Sequence, residues 1–249
     1  MTTVHVFAHF DDEYCGLPLI AERAAAGEDQ LFLYVADYAS PALAQRRFAE
    51  TQNLLAHLGV DRAKVIHVGR GTGAVDGGVF RALPAAYAVL EAALTAAGPA
   101  DRFVTLAWEG GHMDHDMCAL MTAELAKACG NPPIETISLY TGPGLGGPFF
   151  HGAWPLAQNG PVRKIALSPL GWLRWMAAVR FFPSQIKTWL GLWPAMFWSY
   201  AWRGFGVQRL DPARVRERPH PGPLFYERMF KVPYADVRAA ADAFLTGRP

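Results

Sequence analysis

Two short polar clusters stand out in a chain whose residues are 51% apolar. One is Ala8-His9-Phe10-Asp11-Asp12-Glu13, and the other is Gly110-Gly111-His112-Met113-Asp114-His115-Asp116. Together they supply three imidazoles and several carboxylates. A catalytic zinc needs three such N or O ligands and keeps its fourth position for water. His9 and Asp12 share one turn, and His115 comes from the other cluster. His112 and His115 are three apart, so at a helix start they lie on one side, and one can bind metal while the other faces a substrate. Asp11 is then left beside the metal as a general base. Such a metal lowers the pKa of its water from about 15.7 toward roughly 7 and polarises a scissile carbonyl. A cationic His112 would donate to the oxyanion and then protonate a leaving amine, with Asp114 holding that imidazole charged and oriented. The plainer reading is a hydrogen-bonded core histidine, plus acidic residues favoured by a helix N-terminus. The elements around the clusters decide between the two.

Short β-branched or apolar runs alternate with helical patterns as far as Tyr140. Strands are expected at Val4–Phe7, Leu31–Val35, Val65–Val68, Phe103–Leu106 and Ile134–Leu139. Helices are expected between them: an Ala-rich one ending near Gly27, Ser40-Pro41 to about Leu58, Phe80 to Ala97, and Asp114 to Cys129. Ser before Pro is a good helix start, and Gly59 and Gly130 are stops. This alternation predicts an α/β, Rossmann-like, mostly parallel sheet with core order 3-2-1-4-5. Ligands bind such sheets beyond the carboxyl ends of the strands, at the switch point between strands one and four. Both clusters follow those two strands, which favours the metal site over either structural explanation.

Beyond Tyr140 the character changes. A Gly/Pro loop at 142–148 leads into a stretch, Ile137 to Leu210, that has no Asp or Glu but seven Lys or Arg. Trp172, Trp175, Trp189, Trp193, Trp198 and Trp202 fall there too. The expected organisation is one domain, 1–249, with a core at 1–140 and an aromatic-rich helical extension at 141–249 forming one wall of the pocket. A closing helix is expected at Ala235–Leu245. The uncharged run Thr188–Trp202 contains Pro194 and is too short to span a bilayer, which needs about 20 residues. A cap over the sheet is the first reading of this segment. Its Trp, Lys and Arg content also suits peripheral contact through 172–202 with the inner membrane surface.

A formal net charge of +1 gives no pull toward nucleic acid. Cys15, Cys118 and Cys129 form no C-x-x-C pair. The opening Met-Thr-Thr-Val-His lacks the features of a signal peptide, so a cytoplasmic protein with reduced thiols is expected. The oligomeric state is left open.

The paired motifs, His9-Phe10-Asp11-Asp12-Glu13 and His112-Met113-Asp114-His115, resemble the signature of the LmbE-like, or PIG-L, zinc-dependent de-N-acetylases. Arg47-x-x-Glu50 before Leu58-Gly59, Asp76-Gly77, Ser184-Gln185 and Glu227 are weaker points of similarity. The resemblance covers the chain as far as about Tyr140. It implies zinc (or Fe2+) on His9, Asp12 and His115, Asp11 as base, and His112 as the oxyanion or acid residue. It also implies removal of an N-acetyl or small N-acyl group from an amino-sugar conjugate, and the tryptophan-rich segment suits an apolar or lipid-like aglycone. The alternatives are an amidase acting on a non-sugar amide and a metal- or sugar-binding protein with impaired turnover. Phe10 stands where the family has Pro, and a looser site entrance is expected from that exchange. Gly69-Arg70-Gly71-Thr72-Gly73 reads as a flexible loop, with Arg70 and Asp76 near enough to face the sugar. Arg47 and Glu50, one turn apart, are expected to form a surface ion pair. Cys15 and Cys118 are expected in helix packing.

Overall fold

A computed structural model describes residues 1–247. Strands β1 (Thr2–Phe7), β2 (Asp29–Tyr34), β3 (Val65–His67), β4 (Arg102–Leu106) and β5 (Ile134–Ile137) alternate with α1 (Leu17–Ala25), α2 (Pro41–His57), α3 (Leu83–Ala97) and α4 (Met113–Ala128). The strands pair in parallel in the order β3-β2-β1-β4-β5, as the sequence predicts. Helices cover both faces, so β1 is buried from Thr3 onward. His5 within it is a core residue. Its ring stacks on Phe32 at 4.1 Å, Nε2 meets Gln30 Oε1 at 2.9 Å, and burial pushes its pKa down to about 3. Ser40 caps α2 through its hydroxyl, with Pro41 in the first turn.

The extension is not purely helical, which corrects the expectation. A short hairpin, β6 (Tyr140–Thr141) with β7 (His151–Gly152), stands apart. Strands β8 (Val162–Ile165) and β9 (Phe205–Arg209) then join the main sheet antiparallel at its β5 edge. β8 carries Arg163 and Lys164 and is mostly exposed, so no hydrophobic pattern announces it. Between these strands lie α5 (Pro169–Ala177) and α6 (Ile186–Arg203), and after them α7 (Phe225–Met229) and α8 (Tyr234–Thr246).

α5 and α6 pack through Trp172 on Phe197 and Trp175 on Tyr200. Trp175 Nε1 donates to Tyr14 O at 2.9 Å, which seats the pair over the turn after β1. α6 runs unbroken through Pro194. Among the described residues, Val79–Ala97 is the one helical stretch long and apolar enough by composition to cross a membrane. Its buried Leu83, Ala86, Tyr87, Leu90 and Leu94 and its packing on α4 and α8 mark it as a core helix.

Candidate metal centre

At the end of β1 the chain turns sharply. Asp11 sits at φ 136°, a conformation costly for a residue with a Cβ. The turn is held because Asp12 folds back, its Oδ2 accepting the N–H groups of Ala8 (3.0 Å) and His9 (2.7 Å). Phe10 points the other way and is fully buried against Tyr34, Tyr38, Phe48 and His67. Its N–H donates to Tyr38 Oη (3.2 Å) and its carbonyl accepts from Gln185 Nε2 (2.6 Å). Replacing proline with phenylalanine therefore does not loosen an entrance. The ring anchors the turn from beneath and leaves Asp11 against the cleft.

At the end of β4 two glycines let the second cluster approach. Gly110 has φ 68°, and a Cβ on Gly111 would lie 2.0 Å from Tyr140 O. His112 then opens α4 as its N-cap, with Nδ1 accepting the Asp114 N–H at 3.2 Å. That bond leaves the proton on Nε2. Burial pushes the His112 pKa down to about 3 despite the neighbouring Asp114, which favours a neutral ring over the expected cation.

The two turns meet as the sheet order requires. The His9, His112 and His115 rings lie 4.8, 5.3 and 5.0 Å apart in pairs, and one nitrogen from each falls within 4.8 Å of the others. Asp12 stands between two of them, Oδ1 at 3.2 Å from His115 Nε2 and Oδ2 at 3.7 Å from His9 Nδ1. Ligands 2.0–2.1 Å from a tetrahedral zinc lie roughly 3.4 Å from one another. The three imidazoles, and separately His9, Asp76, His112 and Asp114, bring donor atoms within 4.8 Å of one another, with Asp12 beside His9 and His115. Burial would raise the Asp12 pKa, but His115 and His9 hold it below the carboxylate range. Burial likewise opposes charge on His9, yet Asp76, Asp12 and Asp114 keep its pKa well above normal. The cleft thus concentrates negative charge around imidazoles, which is where a cation is held. Asp11, on its rim, is a carboxyl raised well above its usual range by burial and then by Asp12 and Glu13.

A third segment completes the site, the loop after β3. Asp76 Oδ1 lies 3.2 Å from His9 Nε2. Asp114 Oδ2 accepts from that same nitrogen (3.1 Å) and from Gly77 N (2.6 Å), while Oδ1 accepts from Val79 N (3.0 Å). The Asp114 carboxylate is thus committed to His9 and the loop. It lies 3.9 Å from His112 Nδ1 and does not orient that ring as expected. Arg70 is exposed and outside the cleft. Its loop is folded back by Gly71 N–H on Asp37 and Thr72 Oγ1 on Gly69 O.

Arg47 takes the place expected of Arg70. It lines the cleft, 3.9 Å from Asp76 Oδ2, and does not pair with Glu50. Glu50 binds Ser184 instead, through its N–H (3.0 Å) and hydroxyl (2.6 Å), which positions neighbouring Gln185 at the cleft. The remaining walls of this cavity of about 230 Å³ include Tyr140, Trp189, Leu192 and Phe230. Sequence reasoning missed all of these except the general expectation of a tryptophan-rich wall, and of the tryptophans from Trp172 to Trp202 only Trp189 lines the cleft. Glu227 lies elsewhere, accepting from Leu224 N and Tyr234 N. Cys15 and Cys118 are buried in packing, as expected.

Comparison with known proteins follows the same lines. Residues 4–126 match the PIG-L family, described as GlcNAc-PI de-N-acetylase. No curated protein sequence matches the chain. Among solved structures, a deacetylase of the teicoplanin biosynthesis pathway superposes with a TM-score of 0.58 at 19% identity, over 85% of this chain and 99% of its own. N,N'-diacetylchitobiose deacetylase from Pyrococcus horikoshii gives 0.52 at 15% identity, over 89% and 86%. The 4-carboxy-2-hydroxymuconate hydratase GalB from Pseudomonas putida gives 0.50 at 14%, over 84% and 95%. At such identities these neighbours establish the fold, and a hydratase among them is a reminder that a fold alone does not name a reaction. Over residues 4–126, with the two motifs facing each other at the switch point of its sheet, the chain matches the PIG-L, or LmbE-like, family.

Proposed function

We propose that this protein is a zinc-dependent hydrolase that removes an N-acetyl or small N-acyl group from an amino-sugar conjugate. The observation that carries the reading is that Asp11 and His112 line the same cleft as the His9, Asp12 and His115 donors. The deacetylase neighbours and the family match support it.

In this reading His9, Asp12 and His115 hold the metal. Zinc there lowers the pKa of a water and polarises the amide carbonyl. Asp11, a carboxylate of raised basicity, takes the water proton and passes it to the nitrogen as the C–N bond breaks. His112 donates from Nε2 to the carbonyl oxygen as charge develops on it. The products are a free amine and the carboxylate of the acyl group. Asp114 acts as a positioning residue, holding the His9 ring and the loop that carries Asp76. Arg47 and Asp76 bring charged hydrogen-bonding groups to the rim, which suits sugar hydroxyls, and Tyr140, Trp189, Leu192 and Phe230 offer apolar walls to the rest of a conjugate.

The test is release of free amine by zinc-loaded protein from N-acetylglucosaminides with short and long alkyl aglycones, beside an N-acetyl alkylamine without hydroxyls. Hydrolysis of the glycosides, and faster with the longer aglycone, is expected. Equal rates on the alkylamide would move the assignment to a non-sugar amidase, and bound zinc with no hydrolysis of any amide to a binding protein.

A further inference from the structure

The outward side of α6 carries an apolar stripe along its whole length, and none of the described residues covers it. Ile186, Leu190, Pro194, Trp198 and Trp202 recur at intervals of four residues and all are exposed, Leu190 by 71%, Trp198 by 72% and Trp202 by 90%. Leu170 and Leu173 are similarly open on the neighbouring α5. Single exposed apolar residues need no explanation, but a continuous apolar stripe with two open tryptophans on one helix does.

Charge gives the stripe a direction. From Thr136 to Leu210 the chain has seven Lys or Arg and no acidic residue, in a protein of net charge +1, so the remainder carries a net charge of −6. Lys164, Arg174, Arg180 and Lys187 are all exposed in and around these elements, while Arg163 pairs with Glu135 (3.2 Å) and Glu22 (3.7 Å). Exposed tryptophans between basic residues, in a segment with no carboxylate of its own, match the headgroup zone of an anionic bilayer. A self-associating face would instead bring the like charges of Arg174, Arg180 and Lys187 on each copy together. α6 also supplies Thr188, Trp189 and Leu192 to the cleft, so one helix joins this outward face to the site.

We infer that the exposed face of α6, with the basic residues around it, docks on an anionic phospholipid surface and presents the cleft to substrates held at that surface. The inference stands apart from the reaction, because docking is measured without turnover.

The experiment is co-sedimentation of the full chain with two sets of vesicles, phosphatidylcholine alone and two parts phosphatidylcholine to one part phosphatidylglycerol, at low and high salt. The protein should pellet with the anionic vesicles, and release by salt should be nearly complete by about 0.5 M. Trp198→Ser/Trp202→Ser should weaken binding at least about tenfold, and Lys164→Glu/Lys187→Glu by a similar factor. Brominated lipid should quench the fluorescence of the wild type, and the quenching should be lost in the double tryptophan variant. Both variants should keep the wild-type circular dichroism spectrum and thermal melt, which shows that lost binding is not lost folding. A wild type that stays in the supernatant with every vesicle overturns the inference. So does a dimer in sedimentation equilibrium that the tryptophan variant dissociates while vesicle binding is absent, since the face would then belong to a second copy.

Discussion

Asp114 Oδ2 accepts a hydrogen bond from His9 Nε2 at 3.1 Å, and the other oxygen of the same carboxylate holds the Val79 amide. One buried side chain thereby fixes a ring of the metal centre and the loop that brings Asp76 to it. With Nε2 protonated and engaged, His9 has Nδ1 free toward Asp12, the nitrogen that a metal would use. Carboxylates behind ligating imidazoles typically contribute 10–100-fold to metal affinity. Asp114→Asn should therefore weaken zinc binding by roughly that factor in a competitive chelator titration, while leaving the unfolding transition cooperative. Unchanged zinc affinity would mean that Asp114 serves the loop alone.

The strained turn at Asp11 separates function from stability. Asp11→Asn should keep zinc and lose about 10²–10⁴-fold in turnover, the range of general-base catalysis. His115→Ala should lose both zinc and turnover. Asp11→Gly adopts φ 136° without the Cβ clash. After the entropy cost of glycine in the unfolded chain, it should be more stable than wild type by about 1 kcal/mol in urea unfolding, yet inactive. Turnover by Asp11→Asn equal to wild type would remove Asp11 from the base position.

The ligand-bearing turns were legible in the sequence because each lies within a few residues of a strand end, and strand order at a switch point follows from alternation and handedness. Other features depended on contacts distant in sequence. The choice of Arg47 between Glu50 and Asp76 depends on how α2 faces the loop beyond β3, and Ser184 had to claim Glu50 first. The partner of Asp114 was set by Gly77 and Val79, 37 and 35 residues upstream. β9 was hidden for another reason. A five-residue strand between Gly204 and Leu210, paired antiparallel at a sheet edge, carries too short a pattern to stand out in an aromatic segment.

Phe10 makes a prediction that its sequence position disguises. With its ring buried among four aromatic rings, Phe10→Ala should cost about 3–5 kcal/mol. Tyr38→Phe leaves the buried Phe10 N–H without its acceptor and should cost about 1–2 kcal/mol. Phe10→Pro, which restores the residue of the related motif, loses both the ring and the donor. It should unfold at lower urea concentration than wild type; a midpoint equal to or above wild type would show that the ring contributes nothing to the turn.

Glu109 links the site to pH. It is fully buried behind the His112 turn, with Ser138 Oγ donating to Oε2 (2.5 Å) and the N–H groups of Leu139 and Tyr140 to Oε1 (2.8 and 3.0 Å). Burial outweighs these donors and pushes its pKa up to about 8, against an ordinary value of 4.5. The folded state therefore holds a proton that the unfolded state has released between those two values. The stabilisation is complete below the unfolded pKa and is lost as pH rises through about 8. In chelator, so that metal occupancy does not contribute, wild-type stability should fall between pH 5.5 and 8.5. Glu109→Gln keeps the acceptor for Leu139 and Tyr140, offers a donor to Ser138, and has no proton to release, so its stability should fall less over the same interval. Equal slopes for the two proteins would show that Glu109 is already ionised in the fold, with its three donors overcoming burial.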